Sequence, residues 1–277
     1  MPWQRRICRG DAMSLHQHIQ SQLLVLLNQA PPSEASLNNA LRLLAKYRST
    51  LIQNTLVQQH GTRVMAGPFA GMDFIEHSAE GCHVPKLLGC YEEELHPFLN
   101  ALPQARYTTV LNIGCAEGYY AVGIRRLLPN VRVLAFDINP VAQEACKTLA
   151  TRNGVDVEVG GLFSPPDFAR FAGQGRVLVW CDIEGAEREL LNPAASPALK
   201  RMDLVVEFHP TAQGHTFNDV LPRFADSHDI EVIHARGHNP ALPPFLQQLG
   251  HLDQLLAQWE WRSAPTPWAV LRGKGRT

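Results

Sequence analysis

The chain predicts an α/β fold: a Rossmann-like, seven-stranded sheet flanked by helices, behind an N-terminal helical extension. Three observations carry that expectation. Apolar runs at 110–113, 131–136, 155–159, 177–181 and 204–208 alternate with helical segments, as buried parallel strands do. Two later runs, 231–234 and 268–271, bring the strands to seven. The first run ends in a polar residue and a glycine turn, Asn112-Ile113-Gly114-Cys115-Ala116-Glu117-Gly118, and Asp137 stands nineteen residues past Gly118 at the tip of the second.

With 277 residues the chain can bury one large core and carry an extension, and no stretch has the composition of a long linker. Its 25 Lys and Arg against 26 Asp and Glu leave a formal net charge of −1, which argues against nucleic acid as partner. Basic residues gather only at the ends, at Arg5, Arg6 and Arg9 and from Arg272 to Arg276, and read as solvated tails. The six cysteines, Cys8, Cys82, Cys90, Cys115, Cys146 and Cys181, form no CxxC pair and no zinc spacing, as expected of reduced thiols in the cytoplasm. No apolar run reaches spanning length and no continuous apolar segment follows Arg5 and Arg6, so neither membrane nor export is expected. Met1 and Met13 are both candidate starts.

In chain order, Leu23, Leu24, Leu26 and Leu27 mark a helix that Pro31-Pro32-Ser33 ends. Leu37, Leu41, Leu44, Tyr47, Leu51 and Leu56 then recur at helical spacing. This stripe is too long to stay exposed on a monomer, so residues 1–62 are expected to cover the core, the mouth of a site or a second copy of the chain. Residues 63–277 form the main domain. Glycines and prolines from Gly67 to Gly89 predict loop and short strand, and 91–99 a helix leading into the first sheet strand. Asn139-Pro140 opens a helix that Asn153-Gly154 closes, and a further helix is expected over 185–191.

The glycine turn followed by an acid is the strand–turn–helix–strand unit of a nucleoside site, where glycines let the backbone approach a ligand and the acid accepts ribose hydroxyls. Its spacing separates the candidate ligands. A dinucleotide fingerprint needs glycine at the first, third and sixth places, and counting from Gly114 the last two hold Ala116 and Tyr119. No Gly-Lys-Ser/Thr ending exists for a phosphate loop. What remains, N-x-G-x-x-x-G with a distant acid, resembles motif I and the ribose acid of class I S-adenosylmethionine (SAM) methyltransferases. The competing account is a glycine loop of any α/β protein before an acid-tipped strand.

The resemblance sharpens over residues 65–235. Val84-Pro85-Lys86-Leu87-Leu88-Gly89 with Tyr91-Glu92, the Asn112-Ile113-Gly114 turn, and Asp182-Ile183-Glu184-Gly185-Ala186-Glu187 before Leu190-Leu191 look like the FkbM-type methyltransferases. The resemblance implies a class I sheet whose last strand inserts antiparallel beside the fifth. It also implies SAM-dependent methyl transfer, usually to a hydroxyl oxygen of a sugar, a glycan intermediate or a natural product. The helical extension then reads as a lid over the acceptor pocket or a homodimer face.

The expected SAM contacts are Asn112, Gly114, Ala116, Glu117, Gly118 and Tyr119 around the turn, Asp137 on the ribose with Ile138 beside it, and Asp182. Many class I enzymes hold the adenine amino group with an acid after the third strand. This chain has Gly160-Gly161-Leu162-Phe163 there, so Leu162 or Phe163 is assigned to the adenine face. An aliphatic alcohol does not ionise unaided at neutral pH, so its methylation needs a base or a metal. Asp182, Glu207 and His209 are the catalytic candidates, with His209 as base and Asp182 as its orienter or as the base itself. The competing accounts are a turn-capping histidine before Pro210, a helix-capping Asp182, and Glu184 and Glu187 favouring a helix start. The same three residues form an oxygen and nitrogen set for Mg²⁺ or a transition ion. His77, His83 and His96 are further candidates for the acceptor pocket or are surface histidines. A non-catalytic SAM-binding scaffold is the second functional reading, and an NAD-dependent oxidoreductase the third.

Overall fold

The computed structural model describes residues 14–28, 31–76, 82–237, 240–262 and 264–274. Seven strands form one sheet: β1 (Thr109–Ile113), β2 (Arg132–Phe136), β3 (Glu158–Gly160), β4 (Val177–Cys181), β5 (Asp203–Glu207), β6 (His228–Ile233) and β7 (Trp268–Gly273). Their spatial order is 3-2-1-4-5-7-6, with β1 to β5 parallel and β7 antiparallel to both neighbours. This is a mixed, Rossmann-like α/β sheet flanked by helices. The helices are α1 (Leu15–Leu27), α2 (Glu34–His60), α3 (Val84–Leu88), α4 (His96–Ala101), α5 (Tyr119–Leu127), α6 (Pro140–Arg152), α7 (Glu187–Leu190), α8 (Thr216–Val220), α9 (Pro244–Gln247) and α10 (His251–Gln258). None of the described helices is long and apolar enough to cross a membrane.

The strands read as unbroken apolar runs because both faces of the sheet are covered. Side chains alternate between the faces. Val110, Val133, Leu178, Val205 and Val270 meet Ile52, Leu56, Leu87, Val122 and Leu149 from α2, α3, α5 and α6. Leu111, Leu134, Val179 and Val206 meet Phe163, Phe168, Phe171, Leu199 and Phe224 on the other face. β1 pairs with β2 on one side and β4 on the other, so the chain leaves β1 and β4 in opposite directions and opens a crevice beyond their carboxyl ends.

Several elements differ from the expectation. β3 is three residues long and pairs Glu158 with Leu134, where Arg132 holds the Glu158 carboxylate at 2.5 Å; residues 155–157 bridge from the Gly154 turn to the sheet edge. α3 interrupts the expected loop because Pro85 starts a short helix that Gly89 ends in a left-handed turn. The helix expected over 91–99 begins only at His96, because Glu92 takes a left-handed φ of 50° and the chain passes a 3-10 turn first. The helix expected over 185–191 shrinks to α7, since Glu184 and Gly185 have φ of 52° and 108°.

The leucine stripe of α2 is buried only in its second half. Leu37, Leu41 and Leu44 are exposed, whereas Ile52 and Leu56 are buried. α2 meets the main domain where α3 and α10 pack on it; its first half is accompanied by α1, which buries no residue of its own. The second half does more than pack. Arg48 grips Asp253 of α10 through two bonds of 2.7 and 2.6 Å, and Ser49 Oγ accepts from the Trp261 indole at 3.3 Å. The extension therefore fixes the segment that leads from α10 back into the sheet.

Candidate active site

A cavity of about 500 Å³ lies outside the carboxyl ends of β1, β2 and β4. Its walls come from the turns that follow the strands. Gly114 has a φ of 77°, and a Cβ there would collide with the carbonyl of Asp182, so only glycine lets β1 and β4 run this close past their ends. Ala116 is also left-handed, at 44°, and its N–H donates to Asp137 Oδ2 at 2.9 Å. The Asn139 N–H donates to Asp137 Oδ1 at 2.8 Å. Two backbone donors thus fix the Asp137 carboxylate at the cavity wall, and each oxygen retains capacity for a further donor.

Ile138 and Leu162 also line the cavity and are highly exposed. Phe163 is buried, with its ring 4.8 Å from both Phe136 and Phe168, so it backs the wall while Leu162 presents an apolar face. Gly114, Ala116, Asp137, Ile138, Leu162 and Asp182 are therefore brought together around one space. Asn112, Glu117, Gly118 and Tyr119 are not among the residues that line it. Asn112 is buried within β1, and its Oδ1 has no hydrogen-bond partner among the described residues. Glu117 is buried in an ion pair with Lys86 of α3. Gly118 packs on α6, where an added Cβ would stand 2.6 Å from Cys146 Sγ. Tyr119 starts α5 and stacks edge-on with Phe69, Phe74 and Tyr91. These four shape the turn from beneath, because the chain dives into the core as α5 begins.

Asp182 connects the cavity to a second group of side chains. Its Oδ1 lies 3.6 Å from His209 Nε2, which also faces Glu184 at 3.5 Å and Glu207 at 3.8 Å. The other ring nitrogen, Nδ1, is 3.0 Å from Glu187, whose carboxylate also accepts the Gly185 N–H. Behind them Arg262 binds Glu92, Glu207 and Glu260, and the Tyr120 hydroxyl donates to Glu92. Burial and then the charges of Glu207, Glu92 and Glu184 push the Asp182 carboxyl well above the usual carboxylate range. Glu92 is pushed up as well, by burial and by Glu207, with Arg262 pulling the other way. Burial alone would lower the pKa of His209, but the Glu187 hydrogen bond and the Glu207 and Glu184 charges raise it above the ordinary imidazole value. Burial likewise acts to raise Glu187, and its bonds to His209 and the Gly185 N–H bring it below its ordinary value.

Backbone strain concentrates here too. Of the five non-glycine residues with positive φ among those described, Glu92, Ala116, Glu184 and Trp261 surround the site, and only Arg106 lies at the other end of the sheet. Glu92, Tyr120, Glu260 and Arg262 were not singled out as site residues. The signal for the last two was the alternation Trp259-Glu260-Trp261-Arg262 shortly before an apolar strand, which places charges on one side of an extended segment. His83 is buried, stacked on Phe74, with Nε2 2.7 Å from the Ile75 carbonyl, and so serves the core. His96 opens α4, and His77 lies outside the described residues.

No protein-family model matches the chain, and no curated protein does. Solved structures do share its architecture. An O-methyltransferase of Klebsiella pneumoniae, described as putative, is similar at 11% identity over 94% of this chain and 99% of that one, with a TM-score of 0.44. The O-methyltransferase TomG of Streptomyces achromogenes, in complex with SAM, is 16% identical over 68% of this chain and 82% of its own, with a TM-score of 0.43. A precorrin-6y C5,15-methyltransferase of Geobacter metallireducens is 14% identical over 63% and 89%, with a TM-score of 0.42. Likenesses this distant concern the fold alone, which the strand order and the antiparallel β7 define independently.

Proposed function

We propose that this protein is a SAM-dependent methyltransferase that methylates a hydroxyl oxygen of a sugar, a glycan intermediate or a natural product. The observation that carries the reading is the cavity itself. It joins a glycine-turn backbone, a backbone-fixed acid at the tip of β2 and an apolar face after β3, and two of its lining residues, Asp182 and Glu184, face His209, which with Glu207 stands outside the lining. Asp137 is suited to the ribose hydroxyls, Leu162 to the adenine face, and the Gly114 to Ala116 backbone to the amino acid end. The methyl group then points toward Asp182, the lining residue whose Oδ1 is 3.6 Å from His209.

In the transfer, the bond from the sulfonium sulfur to the methyl carbon breaks as the bond to the acceptor oxygen forms, and the hydroxyl proton must leave. SAM carries its own leaving group, so the protein's work is alignment and proton removal. Asp182, Glu207 and His209, one ligand atom of each lying within 4.8 Å of the others, are the groups suited to that proton. The FkbM-like hexad from Asp182 to Glu187 contributes three acids to this cluster, which supports the finer family reading.

Calorimetric titration with S-adenosylhomocysteine (SAH) and with NAD tests the cofactor. SAH should bind at one site and NAD should not; the reverse result overturns the reading. Mass spectrometry of extracts from cells with and without the gene should show a species 14 Da heavier per methyl group, a mass fixed by exchanging H for CH₃. SAH binding with no methylated product would favour a SAM-binding scaffold.

A further inference from the structure

We infer that Asp182, Glu207 and His209 bind a divalent first-row transition ion, with Mn²⁺ as the representative species. One ligand atom from each of the three lies within 4.8 Å of the others, and the Asp182 and Glu207 oxygens stand 3.6 and 3.8 Å from His209 Nε2. Ligands at roughly 2.1 Å from a common ion are separated by about 3–4 Å, so small side-chain rotations close the set.

Acidic clusters are common without any ion, and the histidine is what distinguishes this one. His209 is only 7% exposed, and its Nε2 makes no hydrogen bond among the described residues while pointing into three carboxylates. Its Nδ1 is held by buried Glu187, which is itself anchored by the Gly185 N–H. A carboxylate that fixes the far nitrogen and leaves the near one free for coordination is the support found behind metal-binding histidines. The Asp182 Oδ1 atom is likewise buried without a hydrogen-bond partner. Two carboxylates and a neutral imidazole match the charge of a divalent ion, and the nitrogen donor favours a transition ion over Mg²⁺.

Binding of the ion stands apart from the methyl-transfer reading, but its chemical role rests on it. Three protein ligands leave positions for an acceptor oxygen, whose hydroxyl becomes more acidic beside the cation. The proton then has a route to the exposed Glu184 carboxylate at the rim.

The experiment is a titration of chelator-treated protein with Mn²⁺, followed by the electron paramagnetic resonance signal of free Mn²⁺, with and without SAH. One ion per chain should bind, Asp182→Asn and His209→Ala should each weaken binding at least tenfold, and pulsed resonance of the wild-type complex should show coupling to an imidazole ¹⁴N. The wild-type ¹⁴N measurement decides the matter even if a variant fails to fold. No binding up to about 1 mM Mn²⁺, far weaker than a built three-ligand site should give, overturns the inference, as does bound Mn²⁺ without nitrogen coupling. Failure of SAH to bind while Mn²⁺ does bind would instead count against the methyltransferase reading.

Discussion

At their amino ends β4 and β5 bring Arg176 and Asp203 together, and at their carboxyl ends they bring Asp182 and Glu207 together. The first pair is neutralised and fully engaged. Arg176 meets Asp203 Oδ2 at 2.7 and 3.0 Å, the Tyr107 hydroxyl donates to the same oxygen at 2.8 Å, and the Gly273 N–H donates to Oδ1 at 2.9 Å. The second pair is two like charges with a third and a fourth nearby; Arg262 is ion-paired with Glu207 and makes no ion pair with Asp182 among the described residues. Burial acts to raise Asp203, but its donors hold it below the ordinary value, whereas Asp182 is driven far above. A fold that can satisfy a buried acid at one end of two strands leaves the same strands in conflict at the other. On the proposed function, that contrast separates a group kept for stability from a group kept for chemistry.

The largest expected effect is on turnover. His209→Ala should lower kcat by roughly 10²–10⁴-fold, the scale for loss of acid–base help with the acceptor proton, which His209 supplies as the base or by holding the ion that acidifies the hydroxyl, with SAH affinity nearly unchanged. Asp203→Ala should leave kcat of the folded enzyme within about twofold, since its partners lie at the opposite end of the sheet from the cavity. An Asp203 variant that folds fully yet loses turnover would erase the division between the two ends.

Stability should respond the other way round. Asp203→Ala removes the acceptor shared by Arg176, Tyr107 and the Gly273 N–H, and should cost roughly 2–4 kcal/mol, the scale for breaking a buried charged pair that is partly open to solvent. The sign with pH follows from the lowered pKa. The carboxylate's contribution is fully present above its unfolded value near about 3.9 and is lost as pH falls through the lower folded value. Denaturant titrations of wild type and variant should therefore differ most above about pH 5 and converge in stronger acid. A gap that persists unchanged to pH 2 would show that the carboxylate's charge is not what stabilises this end.

The amino end and the carboxyl end were also unequally legible in the sequence. The sheet announced itself because both faces are covered, which writes each strand as an apolar run, and Asp137, Asp182 and Glu207 stood out as acids at the tips of such runs. Glu117 and Tyr119 shared the same signature spacing as Gly114 and Ala116, but the start of α5 turns them into the core, which no spacing expresses. Arg262 and Glu92 are 170 residues apart in sequence, and their meeting depends on α2 holding Trp261 and on left-handed turns at both residues Glu92 and Trp261. Short elements such as α3 and the three-residue β3 depend on single proline or glycine positions, and the periodicity that reveals longer elements is absent from them.

Cofactor binding should be intermediate in size. Asp137→Ala removes the acid expected to receive the ribose hydroxyls and frees the Ala116 and Asn139 N–H groups that now bind it. SAH affinity should fall by roughly 1.5–3 kcal/mol, about 10- to 150-fold, the scale for a charged hydrogen-bond acceptor. Calorimetry reads this directly, and an unchanged dissociation constant would move the ribose away from β2.

The smallest effect is the sharpest test of the contrast, because its sign is opposite to that of Asp203. With its folded pKa raised by burial and by Glu207, Asp182 penalises the native state whenever it is ionised. Between its unfolded value near about 3.9 and the raised folded value, the native state takes up the proton, so stability rises as pH falls through that window. Asp182→Asn removes the charge at nearly constant shape, and Oδ1 accepts no hydrogen bond that the amide would forfeit. In chelator-treated protein the variant should therefore be more stable than wild type at pH 7, by roughly 0.5–2 kcal/mol, the common gain when a functional site is relieved of its conflict. The gain should shrink as the pH is lowered toward 4, where wild-type Asp182 is already neutral in the folded state. A variant less stable than wild type at pH 7 would mean that Asp182 is held by attraction, and the two ends of β4 and β5 would then obey the same rule.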